Sequence, residues 1–87
     1  MTAREIKITK AVLDYLHAAD RGQRTQLQIH AGAFDNFEPP KPSVSELKSV
    51  LENCDQEEWI RGTPDRFKKM LWQITTLGEG VRPELAD

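Results

Sequence analysis

Cysteine occurs once in this chain, at Cys54, so no internal disulfide can form and no CxxC pair exists for metal or redox chemistry. His17 and His30 are the only histidines, and neither stands with Cys54 at the spacing of a metal site or of a nucleophile and its base. A glycine-rich phosphate loop is missing too, since Gly78 and Gly80 follow a strand-like stretch without the lysine and helix such a loop needs. These absences argue against an enzyme and imply no cofactor and no bound metal. No apolar run approaches the roughly 18 residues of a membrane helix. Met1 to Lys10 lacks the apolar centre of a secretion signal, so the expected location is cytoplasmic. An overall excess of positive charge is also lacking, with 12 Lys and Arg against 14 Asp and Glu.

What is present is enough for one small domain spanning 1–87. A chain of 87 residues buries only about 60 to 65% of the surface its unfolded form exposes, which allows a single core. With 38% hydrophobic and 30% charged residues, it has the composition of a soluble globular domain. The net charge of −2 is unevenly spread: residues 1–34 carry +2, 35–58 carry −5, 59–69 carry +3 and 70–87 carry −2. For a charged partner that layout matters more than the sum.

The residues at 59–75 alternate with the period of strands. Trp59, Arg61 and Thr63 interleave with Ile60 and Gly62, and Met70, Trp72 and Ile74 interleave with Leu71, Gln73 and Thr75. Pro64 and Asp65 suit the turn between them, because proline presets φ and aspartate bonds nearby backbone. A hairpin over roughly 58–75 follows, with Arg66, Lys68 and Lys69 loading its tip and Phe67 among them. Phe67 either caps Trp59 or Pro64 or stays free to wedge or stack. The four bases including Arg61 either guard an exposed sheet edge or await an anionic partner.

Before the hairpin the periodicity is helical. Thr2 and Glu5 are spaced as a capping box, and Ile8, Val12, Leu13, Tyr15, Leu16 and Ala19 form one apolar stripe, predicting a helix over roughly 3–19 that ends at Asp20, Arg21 and Gly22. For residues 25–33 a short helix behind Thr25, with Leu27, Ala31 and Phe34 inward, competes with a strand; the helix is the better reading, because a lone strand would have only the hairpin edge to pair with. Phe34 and Phe37 are expected to tuck under the connection that follows, which holds Pro39, Pro40 and Pro42. A third helix over 44–54 starts from Ser43 and Glu46, a second capping box, with Val44, Leu47, Val50, Leu51 and Cys54 inward. Thr75 opens at most a weak turn, since Gly78, Gly80 and Pro83 disfavour helix, and 79–87 is expected to be irregular.

Three short helices, then a strand, a basic tip and a second strand, resemble the winged helix-turn-helix superfamily. The run from Lys69 through Met70, Leu71, Trp72, Gln73, Ile74, Thr75, Thr76 and Leu77 to Gly78 is similar to the pattern with which many bacterial members end the wing and begin the next helix. The resemblance implies an α+β, mainly α, three-helix domain with a C-terminal β-hairpin wing, the helix from Ser43 to Asn53 being the recognition helix and Arg61 to Lys69 the wing. It further implies duplex DNA as partner, read by Ser45, Lys48, Ser49 and Asn53 and held at its phosphates by Arg61, Arg66, Lys68 and Lys69. A transcriptional regulator is the expectation from the basic wing, and a protein-binding winged-helix module from the acidic stretch between Asp35 and Glu58. Dimerising members usually carry a further helix, and six residues follow Val81, so a monomer or weak homodimer is expected.

Overall fold

Capping boxes open the three longest helices, and in each a hydroxyl and an acid or amide three residues later satisfy one another's backbone donors. They are Thr2 with Glu5, Thr25 with Gln28 and Ser43 with Glu46. In the computed structural model, residues 2–19 and 22–85 are described. The elements run α1 (Ala3–Ala18), β1 (Arg24–Thr25), α2 (Gln26–Gly32), α3 (Val44–Gln56), β2 (Ile60–Pro64), β3 (Met70–Ile74), α4 (Thr76–Val81) and a 3-10 turn (Arg82–Glu84). Asp20 and Arg21, two of the three residues expected to end the first helix, lie outside the described residues. The third, Gly22, does not make a left-handed exit, for no described glycine has a positive φ; the helix ends instead with the Ala19 amide donating to the Tyr15 carbonyl at 3.2 Å.

The strands form one antiparallel sheet in the order β1-β3-β2, with Ile60 opposite Ile74, Gly62 opposite Trp72 and Arg24 opposite Trp72 on the other side. Residues 26–30, where a strand reading competed, are helical in α2, and Arg24 and Thr25 just before them pair with the hairpin edge. Ile29 and Phe34 are buried while Leu27 (78% exposed) and Ala31 face out, correcting the expected inward face.

The core lies between α1, α3 and the sheet. Ile8, Val12, Leu13 and Leu16 of α1 meet Leu47, Val50, Leu51 and Cys54 of α3, with Ile60 and Ile74 closing it from the sheet. Val44, expected to face inward, is 62% exposed: it is the first residue of α3, one turn ahead of the first buried position, Leu47. Trp72 is only half-buried. Its ring lies so close over Gly62 that a Cβ there would come within 2.8 Å of it. The turn expected after Thr75 forms as α4, and residues 79–84 are helical rather than irregular, while 86 and 87 lie outside the described residues; the reason is tertiary. The Thr75 amide donates to the Trp59 carbonyl (3.0 Å), its hydroxyl donates to the Glu58 carbonyl (2.6 Å), and its Oγ1 accepts from the Gly78 amide (3.0 Å), so the first turn is capped and tied to the start of β2 together.

Candidate nucleic-acid interface

The long connection between α2 and α3 decides where α3 sits, and aromatic and ionic contacts hold it. Phe34 is buried beneath it, with the Phe37 ring edge-on at 5.5 Å and His30 at 6.3 Å. His30 Nε2 lies 3.0 Å from the Pro42 carbonyl. Arg4 reaches across from α1: Nη2 donates to the Pro40 carbonyl at 3.1 Å, and Nε donates to Glu46 Oε2 at 2.7 Å. Glu46 Oε1 also accepts the Ser43 amide at 3.2 Å, so one carboxylate caps α3 and anchors its N-terminus to α1. The Arg4 hydrogen bond, helped by the Ser43 amide, pulls the Glu46 carboxyl down to about 2 from 4.5. Nothing in the sequence marked this pair, whose members stand forty-two residues apart.

With Leu47, Val50, Leu51 and Cys54 turned inward, α3 leaves Ser45, Lys48 and Ser49 exposed and Asn53 half-buried. Glu52 shares the exposed side, so Lys48 is the single base this helix offers. The helix ends through a left-handed residue, Glu58 (φ 64°), with the Trp59 amide donating to the Cys54 carbonyl and the Glu58 amide to the Asp55 carbonyl. Glycine usually fills that position. The chain then enters β2 directly.

The wing is β2, β3 and the turn between them. Asp65 organises the turn: its Oδ1 accepts the amides of Phe67 (2.8 Å) and Lys69 (2.9 Å), its carbonyl accepts the Lys68 amide, and its own amide donates to the Lys69 carbonyl. Lys68 takes the left-handed position at φ 62°. Arg61, Arg66, Lys68 and Lys69 are all exposed, and none is held in an ion pair among the described residues. Three bases of the body are committed, Arg4 to Glu46, and Lys10 and Arg82 to Asp14. Phe67 does not cap Trp59 or Pro64. Its ring is 74% exposed, with the Arg66 guanidinium 5.5 Å from its centroid.

Arg24 is a further base beside the sheet that the sequence did not single out; β1 places it opposite Trp72, and its Nη1 donates to the Gln23 carbonyl. An open cleft of about 720 Å³ lies between α1 and the α2–α3 connection, floored by Ala11, Tyr15 and Phe37 and rimmed by Lys7, Asp35 and Glu38. Its mixed charge selects no single ligand. No group of three His, Cys, Asp or Glu among the described residues is placed to hold a metal ion, and no described helix is long and apolar enough to cross a membrane.

No protein-family model matches the chain, and no curated protein matches it in sequence. Solved structures do. MepR, a transcription regulator of the Staphylococcus aureus multidrug efflux pump MepA, superposes with a TM-score of 0.70 at 18% identity over 90% of this chain and 53% of its own. A mutant of MarR from E. coli, complexed with operator DNA, superposes with a TM-score of 0.66 at 18% identity over 98% of this chain and 53% of its own. This chain therefore spans about half the length of the structures it matches. The likeness shows the fold, which is the winged helix-turn-helix, here with four α-helices and a three-stranded antiparallel sheet among the described residues.

Proposed function

We propose that this protein binds duplex DNA as a winged-helix regulator, with α3 lying in the major groove and the basic wing on the flanking phosphates. The observation that carries the reading is the state of the wing's bases. Arg61, Arg66, Lys68 and Lys69 are exposed and, among the described residues, in no ion pair, whereas Arg4, Lys10 and Arg82 are held by carboxylates. Guarding an edge explains only one of the four, because β2 is the outer strand and carries Arg61 alone, while Arg66, Lys68 and Lys69 stand in the turn. In this reading Ser45, Lys48, Ser49 and Asn53 are the base readers, and a helix with one base supports modest sequence preference. The two solved structures are both regulators, one of them holding operator DNA, which adds support at the level of fold.

The test is a titration against mixed duplex DNA at several salt concentrations. Four phosphate contacts release about 0.9 counterion each, so the log–log slope is expected near about −3 to −4. Replacing Arg66, Lys68 and Lys69 by alanine flattens it by about 2 to 3 units and leaves the melting temperature nearly unchanged, since exposed charges add little to folding. Absence of binding to any duplex at low salt would overturn the reading and favour a protein-binding module. The groove beside Asp55, Glu58 and exposed Leu77 is where such a module would take its partner. A monomer or weak homodimer remains part of the proposal, read by sedimentation.

A further inference from the structure

The ring of Phe67 is among the most exposed large apolar groups of the described chain, and it stands where folding gains nothing from it. A flexible loop would let such a ring fold back onto neighbouring apolar surface. Here the ring stands out from the turn. Asp65 Oδ1 accepts the amides of Phe67 and Lys69 and its carbonyl accepts the Lys68 amide, so the backbone that bears the ring is braced at its base. The one cation or ring against Phe67 among the described residues is the Arg66 guanidinium, a contact that leaves the far face and edge of the ring bare. Arg66, Lys68 and Lys69 flank it in the chain, all exposed and none in an ion pair among the described residues, with Asp65 the carboxylate at the base of the turn. An apolar plate beside exposed bases is complementary to a groove walled by phosphates in which opening one base step exposes flat apolar faces, and the minor groove of duplex DNA offers that to an inserted side chain.

We propose that Phe67 is a wedge, inserting from the wing tip into the minor groove and partly unstacking one base step while Arg66, Lys68 and Lys69 hold the bordering phosphates. This rests on the duplex-binding reading above and extends it to specificity. A wedge works most easily where the step opens readily, so sites with a TA or CA/TG step beneath the wing are favoured over stiff A-tracts, with no hydrogen bond to any base edge.

The experiment uses short duplexes carrying 2-aminopurine at a central TA step, whose fluorescence rises on unstacking, and matched A-tract duplexes. The wild type is expected to raise the fluorescence of the TA duplex. Phe67→Ala abolishes that rise and weakens TA binding about tenfold while changing A-tract binding by less than about twofold; Phe67→Leu, still an apolar wedge, keeps most of both effects. The salt slope is the same in all three, because the ring releases no counterion. Normal duplex binding and slope without any fluorescence rise would overturn the wedge and leave the DNA reading standing. Loss of all duplex binding at low salt would overturn both. Tighter, Phe67-dependent binding to single strands than to duplex would also overturn it, by making the ring a stacking platform instead.

Discussion

At the scale of the residue, Cys54 shows how a helix face decides chemistry. It falls on the inward side of α3 beside Val50 and Leu51, where its side chain is inaccessible, and burial pushes its thiol up to about 12 even though a hydrogen bond with Thr9 works the other way. The thiolate is the reactive form, so the folded protein is expected to label only very slowly with a thiol reagent at neutral pH, and rapidly in denaturant. Equal rates would show the thiol to be accessible. The burial was legible in the sequence because Leu47, Val50, Leu51 and Cys54 recur at helical steps. Its partner was not. Thr9 is buried in α1, and a polar residue beside Ile8 carries no periodic signal.

At the scale of the element, α4 is made by contacts rather than by propensity. Two glycines lie in its six residues, which by itself argues against a helix. They are not equivalent. A Cβ on Gly78 would come within 2.1 Å of the Trp59 carbonyl, whereas one on Gly80 would meet nothing within 4 Å. Gly78→Ala is therefore expected to destabilise the fold by roughly 1 to 3 kcal/mol or more, as overpacking against rigid backbone does. Gly80→Ala should instead stabilise it by roughly 0.4 to 1 kcal/mol, because alanine restricts the unfolded chain and suits a helix. Urea midpoints of the two variants read both signs, and a Gly78→Ala protein as stable as the parent would show that α4 is not seated on the Trp59 backbone leading into β2. The sequence could warn that glycine weakens this helix; it could not show that one of the two lets the helix approach a strand.

At the scale of the molecule, α3 is held at its N-terminus by Arg4 and Glu46, across two elements that no spacing along the chain links. Because the folded state keeps the Glu46 carboxyl ionised down to about 2 rather than 4.5, its contribution to stability is fully present above about 4.5 and is lost as pH falls through about 2. The comparison to make is with Glu46→Gln, which keeps the capping geometry with Ser43 and removes the charge. The melting temperature of the wild type should exceed that of Glu46→Gln at neutral pH, with the gap closing between about 4.5 and about 2. Equal melting temperatures at every pH would show that the carboxylate acts as a cap alone.

Local chemistry by itself determined where the helices begin and where the wing turns. Thr2, Thr25, Ser43 and Thr75 each cap the helix that follows, and Pro64 and Asp65 bracket the turn, since these interactions reach only two to four residues along the chain. Helical spacing likewise marked Val12, Leu16, Leu47 and Leu51 for the core. Tertiary structure alone decided the rest: that Arg24 and Thr25 add a strand to the hairpin, that α2 buries Ile29 and exposes Leu27, and that Phe67 stands clear of Trp59 and Pro64. Each of those depends on which surface arrives opposite a residue from a distant part of the chain, and spacing along one segment carries no record of that.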